Sequence, residues 1–261
     1  GAGIRDITVV LGPDGRGLRS LIRLDGVRVV IQQRRLGTGH AVLEARRQLG
    51  RLDGSILILP ADVPCIQSST LQDFVRFHAK GSSRATVLTA VLEDPTGYGR
   101  ILRTGDRVTG ILEELDLTHA ERRIKEVNSG IYLFDAAELF ERLGELGRNQ
   151  RKKEYYLTDV VAAYAESGES VRAHRIPDHR EILGVNTKRQ LAMANRVLTE
   201  RELERHSRAG VTILEPAQTF LEQGVRIGRD SVIHPFTWIE RGVVIGRRCE
   251  IGPFAKIRTG S

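Results

Sequence analysis

Six isoleucines, Ile227, Ile233, Ile239, Ile245, Ile251 and Ile257, stand at a strict interval of six near the C-terminus. One large apolar residue every six matches neither the 3.6-residue period of a helix nor the two-residue alternation of a hairpin. Glycine follows three of them (Gly228, Gly246, Gly252), and four places on come the compact residues Ser231, Thr237, Val243, Cys249 and Ala255. The pattern predicts a parallel β-helix of triangular section. Each hexapeptide forms one flat side, the isoleucine fills the axis, and the compact residues let neighbouring sides meet at the corners. The competing reading, ordinary strands sharing a phase by chance, is opposed by six in-phase copies. Such a coil is a module, so the residues before it form something of a different kind.

Length and composition agree with two unequal parts. At 261 residues and 40% apolar content the chain exceeds one average domain and supports a sizeable core. No apolar run approaches the roughly 18 residues of a spanning helix, and no secretory signal is present, so no membrane insertion is expected. The chain begins at Gly1 rather than methionine and stops with the hexapeptides in phase, so both ends read as cut. Cys65 and Cys249 lie far apart and form no CxxC pair. This argues for a reduced, cytoplasmic protein in which each packs as a small apolar residue. The net charge of +7 raises the question of nucleic acid. Yet the arginines are scattered, and the one dense stretch, Arg148 to Lys153, has no interleaved aromatics and reads as a solvated loop.

Over the first 190 or so residues, short apolar runs alternate with helical patterns. Ile7–Leu11, Val27–Ile31, Ser55–Leu59, Ala85–Leu92, Val108–Leu112 and Asn128–Phe134 read as strands. Helices are predicted over Thr38–Leu49 with Gly50 at its end, from Ser68 or Ser69 as cap to Lys80, from near Asp135, and over Glu154–Ser167. The alternation predicts an α/β domain, a mostly parallel, Rossmann-like sheet with helices on both faces. A long polar helix from Thr187 to about His206 links it to the coil.

Ligands of such sheets bind beyond the C-terminal ends of the strands. There the chain carries Gln32-Gln33-Arg34-Arg35-Leu36-Gly37-Thr38-Gly39-His40-Ala41, then Pro60-Ala61-Asp62-Val63-Pro64 and Asp94-Pro95-Thr96-Gly97-Tyr98-Gly99-Arg100. Ile111-Leu112-Glu113-Glu114, Glu126-Val127-Asn128-Ser129-Gly130, Glu154-Tyr155-Tyr156-Leu157-Thr158-Asp159 and Gly184-Val185-Asn186 follow. In this combination and order they resemble the bifunctional bacterial N-acetylglucosamine-1-phosphate uridylyltransferase/glucosamine-1-phosphate acetyltransferases, over essentially the whole chain.

The resemblance implies a pyrophosphorylase domain over residues 1–186, a linker helix over 187–207 and the start of a left-handed β-helix acetyltransferase domain over 208–261. It implies formation of UDP-N-acetylglucosamine and pyrophosphate from UTP and N-acetylglucosamine-1-phosphate, with Mg²⁺, in a protein whose full-length form is a homotrimer. Joining two anions depends on positioning and charge neutralisation, and a hard cation that keeps several waters needs few protein oxygens. By the resemblance those oxygens come from Asp62 and Asn186. Gln32 reads the uracil edge, an amide offering both a donor and an acceptor, with Gly37 and Thr38 beside the base. Gly99, Glu113 and Asn128 hold the sugar, and Tyr156 and Thr158 lie near its phosphate. Asp62 also stands just beyond the end of a buried strand, where a ligand is expected; outside the resemblance Gly99, Glu113, Asn128, Tyr156 and Thr158 would each rank as an ordinary turn, surface or helix residue. His40 is read as structural.

Two departures matter. The family's nucleotide loop, Leu-Ala-Ala-Gly-Xaa-Gly-Thr-Arg-Met, has a glycine-rich candidate in Leu11–Arg19, but only Leu18–Ile31 separates that candidate from Gln32. That is too short for the rest of a first βα unit, so Ile7–Gly12 resembles the family's second strand, and the first strand and its loop are expected to be absent. The second departure is Leu115, where the family commonly has lysine; Ala61 in place of a glycine is a milder change. Arg258 resembles the arginine that begins the acetyltransferase site, whose remaining residues would follow Ser261, so no acetyl transfer is expected of this chain. Two other functions stay open: a nucleotidyltransferase for another sugar phosphate or nucleotide, and a catalytically dead trimerising or regulatory protein. The joint presence of Gln32, Asp62, Glu113, Asn128 and Asn186 opposes the second.

Overall fold

A computed structural model describes residues 3–4, 6–20, 26–49, 53–146 and 154–260. Gly50, expected to end the first helix, and the basic stretch from Arg148 to Lys153 lie outside them. By internal contacts the chain divides into two units, Gly1–Ala61 with Ile66–Ile182, and Asp62–Cys65 with Leu183–Ser261.

The β-branched runs of the first unit form the strands they predict. These are β1 (Ile7–Leu11), β2 (Val27–Ile31), β3 (Ser55–Ile58), β4 (Ala85–Val91), β5 (Arg100–Thr104), β6 (Arg107–Leu112), β7 (Glu126–Asp135) and β8 (Val171–Arg175). Helices α1 (Thr38–Arg46), α2 (Ser68–Ala79), α3 (Ala136–Glu145) and α4 (Leu157–Glu166) alternate with them. β1 and β2 pair in parallel as a two-stranded sheet. The others form one sheet in the order β6-β5-β7-β4-β8, with β3 also on β7. Strands β3, β4, β5 and β8 share one direction, as the expected fold requires. β7 runs against β3, β4 and β5, and β6 runs against β5.

Alternation along the strands gives each face its own core. Val87, Phe134 and Val171 face Leu139 and Leu143 of α3 and Val160, Val161 and Tyr164 of α4. Leu88, Ile131 and Leu133 face Leu71, Phe74 and Val75 of α2. β5 and β8 were not predicted, because RILRT and VRAHR alternate charge with small runs of apolar residues. α2 includes both serines, with Gln67 at the cap position, so neither serine caps it. The buried Glu181 carboxylate instead accepts from the Gln67 backbone and amide N–H groups and from the Thr70 hydroxyl, at 2.9–3.0 Å.

In the second unit α5 (Lys188–Arg208) precedes eight short strands. They are β9 (Thr212–Ile213), β10 (Thr219–Leu221), β11 (Arg226–Ile227), β12 (Val232–Ile233), β13 (Thr237–Ile239), β14 (Val244–Ile245), β15 (Glu250–Ile251) and β16 (Lys256–Ile257). They stack as three parallel sheets, β10-β13-β16, β11-β14 and β9-β12-β15. Each isoleucine pairs with the one three hexapeptides later: Ile227 with Ile245, Ile233 with Ile251, Ile239 with Ile257. Ser231 and Thr237 are fully buried at their corners. The six-residue period also appears in the backbone. Gly224, Asp230, Phe236, Gly242, Arg248, Phe254 and Gly260 all have φ between 56° and 90°. Bulky residues rarely adopt that region; here Phe236 and Phe254 stack face to face, ring centroids 4.9 Å apart. Leu203 of α5 packs into the coil's apolar cluster, and Ala194 and Val197 pack with Cys65. The helix expected as a separate linker therefore clusters with the coil.

Candidate functional site

Gln32 follows β2, its backbone N–H donating 2.8 Å to the Leu11 carbonyl. The chain then turns through Leu36-Gly37-Thr38-Gly39 into α1. An α-helix start leaves backbone N–H groups without intrahelical partners, and no side chain caps this one. Its partner is the extended segment before α4. Gly39 N donates to the Tyr155 carbonyl at 2.8 Å, Tyr155 N donates to the Leu36 carbonyl at 2.8 Å, and Leu157 N donates to the Thr38 hydroxyl at 3.4 Å. That use of Glu154–Tyr156 explains why α4 starts at Leu157 rather than Glu154. Gly37 is required twice over. Its φ is +94°, and a Cβ there would lie 2.5 Å from the Tyr155 carbonyl oxygen. Gly37→Ala should therefore lower the melting temperature by several degrees, from about 1–3 kcal/mol of backbone strain plus the clash. Gly168→Ala, with φ +83° but open space around it, is the control and should cost less. Equal losses in the two variants would show that the close approach to Tyr155 does not matter.

The sugar-site candidates gather around a kink in β7. Between the Val87–Tyr132 and Thr89–Asn128 pairs the register with β4 shifts, and Gly130 has φ +76°. Such irregularities re-aim side chains. Here two of them satisfy the backbone groups that the kink frees. Ser129 Oγ donates to the Leu88 carbonyl at 2.6 Å and accepts from Ile131 N at 3.0 Å, while Asn128 Oδ1 accepts from Gly130 N at 3.0 Å. Asn128 Nδ2 donates to the Tyr132 hydroxyl at 2.7 Å. Burial holds that phenol protonated, well above the usual tyrosine range. Asn128 N donates to the Gly99 carbonyl at 2.9 Å, and a Cβ on the buried Gly99 would press on Ile111 and the Leu112 carbonyl at 3.3 Å.

Glu113 accepts from the Thr158 hydroxyl at 3.1 Å. Tyr156 lies within its field, and burial, then the Glu154 carboxylate, push that phenol up to about 12. The next carboxylate, Glu114, has a different task. It pairs at 2.9 Å with the buried Arg100 guanidinium and at 3.0 Å with Arg122, and accepts from Gly97 N at 3.3 Å. The loop holding Gly99 is thus anchored from beneath. Leu115 is 79% exposed.

The two expected metal ligands both belong to the second unit. Val185 N donates to the Asp62 carbonyl at 2.8 Å. Asp62 Oδ2 and Asn186 Nδ2 each lie 3.7 Å from where a Cβ on Gly184 would stand, so the carboxylate and amide flank one bare stretch of backbone. Both side chains are exposed. Among the described residues no group of three or more His, Cys, Asp or Glu is placed to hold a metal ion. One carboxylate and one amide beside open space suit a hard cation whose other ligands are water and substrate oxygens. Arg258 is exposed just after β16.

Of the predicted residues, the structure brings Gln32, Gly37 and Thr38 together, joins Gly99 to Asn128 by one hydrogen bond and Glu113 to Thr158 by another, and sets Asp62 by Asn186. Sequence reasoning missed Tyr132, Ser129, Arg100 with Glu114, and the contact of His40 with Gln32. Only the Glu113-Glu114 pair carried a signal, two adjacent carboxylates at a strand end.

The nucleotidyl transferase family profile matches residues 2–179, and six bacterial transferase hexapeptide repeats match residues 224–259. Among curated proteins, the bifunctional protein GlmU of Acetivibrio thermocellus is 42% identical over 90% of this chain and 51% of its own length. Those of Syntrophotalea carbinolica (42%, over 89% of this chain and 50% of that protein) and Corynebacterium diphtheriae (44%, over 80% and 43%) are similar. The chain thus spans about half the length of the curated relatives it matches. A solved UDP-glucose pyrophosphorylase complexed with UDP-glucose superposes with a TM-score of 0.54 at 19% identity, over 67% of this chain and 74% of that one. At that identity the likeness establishes the fold.

Proposed function

As the chain belongs to the nucleotidyl transferase family, we propose that it carries the uridylyltransferase half of a bifunctional enzyme of the GlmU kind. The reaction joins UTP and N-acetylglucosamine-1-phosphate, releasing pyrophosphate. One observation carries this reading: a single segment, Tyr155–Thr158, straps the Gln32–Thr38 turn through its backbone and meets Glu113 through Thr158. Base-facing and sugar-facing groups are thereby set by the same four residues.

Gln32 and the Gly37-Thr38 turn orient the base. Gly99, Glu113 and Asn128 hold the sugar, and Tyr156 and Thr158 lie by its phosphate. Asp62 and Asn186 would hold Mg²⁺. A bound divalent cation draws negative charge from the α-phosphate, so that a second anion can approach it. The hexapeptide coil supports a homotrimer in the full-length protein. No described helix is long and apolar enough to cross a membrane, and two free cysteines suit the reducing cytoplasm, where we place it.

The pattern Leu-Ala-Ala-Gly-Xaa-Gly-Thr-Arg-Met occurs nowhere in the 261 residues, and Pro13–Ser20 is a 3₁₀ helix rather than an anion-cradling loop. We therefore expect little turnover from the chain alone. A protein supplying a relative's nucleotide loop and the lysine that follows it should release pyrophosphate from UTP and N-acetylglucosamine-1-phosphate with Mg²⁺. Turnover with a different sugar 1-phosphate only would identify another nucleotidyltransferase. No turnover with any would identify a scaffold.

A further inference from the structure

We propose that His40 determines base selectivity: it locks the Gln32 amide so that only the amide oxygen is offered to a nucleobase. The inference rests on Gln32 facing the base, as read above. The side chain is almost fully buried, 8% exposed, so its polar atoms must find partners inside the protein. Nε2 lies 3.2 Å from the Gly37 carbonyl oxygen and 2.9 Å from His40 Nδ1. A carbonyl can only accept, so the amide nitrogen and not the oxygen must face Gly37; the reverse orientation would set two acceptors together. The second amide N–H then points at His40 Nδ1, which must be the bare, accepting nitrogen of the ring. The ring proton consequently sits on Nε2, the atom 3.5 Å from Glu44 Oε1 one helical turn along. Gly37 and His40 take both amide hydrogens, Glu44 fixes the ring proton, and Oε1 is left as the polar atom of the side chain that a ligand can engage.

An acceptor held in this way selects a ring N–H. Uracil carries one at N3, whereas cytosine presents a lone pair there and would bury two opposed acceptors. A site built to hydrogen-bond one partner rejects the analogue lacking that group far more strongly than a merely apolar pocket does. An amide free to rotate would lose this discrimination, because its nitrogen could then serve cytosine. His40 is thus a positioning residue that acts through Gln32.

The test is competition between UTP and CTP, with N-acetylglucosamine-1-phosphate and Mg²⁺, in the chain carried within the loop-bearing protein. The ratio of kcat/KM values is the readout, since a general loss of structure lowers both rates without changing it. Wild type should favour UTP. His40→Leu should lower the preference at least fivefold, and His40→Asn, whose Oδ1 can take the place of Nδ1, should restore most of it. Should His40→Leu not fold, Glu44→Leu unlocks the ring tautomer from an outer helix position and should move the ratio the same way. An unchanged ratio in folded His40→Leu or Glu44→Leu overturns the role of His40 and leaves Gln32 as the base reader. A wild type that does not prefer UTP overturns the base-facing reading of Gln32 itself.

Discussion

Asp62→Asn and Asn186→Ala are each expected to cut turnover of the loop-bearing protein at least 100-fold, with a far smaller change in KM for the sugar phosphate. Groups that stabilise charge developing during reaction are commonly worth roughly 10²–10³ in kcat when removed singly. A loss confined to kcat marks an interaction made in the transition state rather than in the bound substrate. Asp62→Asn keeps the shape of the side chain and removes one charge, so its effect reports electrostatics rather than packing. Gly184→Val provides an independent check. It leaves both ligands intact but puts bulk where a Cβ already lies 3.7 Å from Asp62 Oδ2 and from Asn186 Nδ2. It should raise the Mg²⁺ concentration needed for half-maximal rate, and added Mg²⁺ should recover part of the loss. Near-wild-type kinetics for the Asp62 and Asn186 variants at limiting Mg²⁺ would remove both residues from the metal site.

What the sequence made legible depends on how local the cause is. The coil was readable because its cause is a repeat: one isoleucine per side, in register with the one three sides later. Even there, the left-handed φ of Phe236 and Phe254 was not readable, since neither residue favours it and the hexapeptide geometry imposes it. Strand positions with consecutive apolar residues, such as those of β4, were legible. β5 and β8 were not, because their partners supply the burial that their own composition lacks. The direction of β7 leaves no mark on its pattern of apolar residues, as alternation reads the same from either end. The start of α2 depends on Glu181, more than a hundred residues away, and no local rule would choose that carboxylate over Ser68.

The site divides in the same way. Gln32, Glu113, Asn128 and Asn186 are legible only through the family's motifs, whereas Asp62 is also marked by its place just beyond a buried strand. Their partners were invisible to either approach, because the strap between Leu36 and Tyr155 and the link from Gln32 to His40 are made by backbone and amide groups. The Gln32 amide, expected to offer both a donor and an acceptor, has its nitrogen engaged twice within the protein.

Ile239→Asp is expected to unfold the coil and leave the sheet unit standing. Ile239 is fully buried and pairs with Leu221 on one side and Ile257 on the other. An aspartate there has no polar partner along the apolar axis. Burying a polar group without a hydrogen bond costs roughly 2–7 kcal/mol, and an ionised one costs more until it takes up a proton. Losing the isoleucine adds about 1.5–3 kcal/mol of apolar burial. Together these approach the whole stability of an ordinary domain, about 5–15 kcal/mol. Trp238→Asp is the matched comparison. It changes the adjacent residue, whose side chain points outward and is 43% exposed. It gives up surface contacts, a stack on Phe220 with ring centroids 5.4 Å apart, a hydrogen bond of 3.2 Å to Glu222 and the Lys256 ammonium 5.3 Å from the ring centre, so it should leave the coil folded. The two core clusters of the sheet unit contain no coil residue, and therefore amides of β4 and β7 should stay protected from hydrogen exchange in both variants. In Ile239→Asp those of β10 to β16 should exchange freely. Protection of the coil in Ile239→Asp equal to that in Trp238→Asp would mean that the isoleucine ladder is not the packed axis that its six-residue period implies.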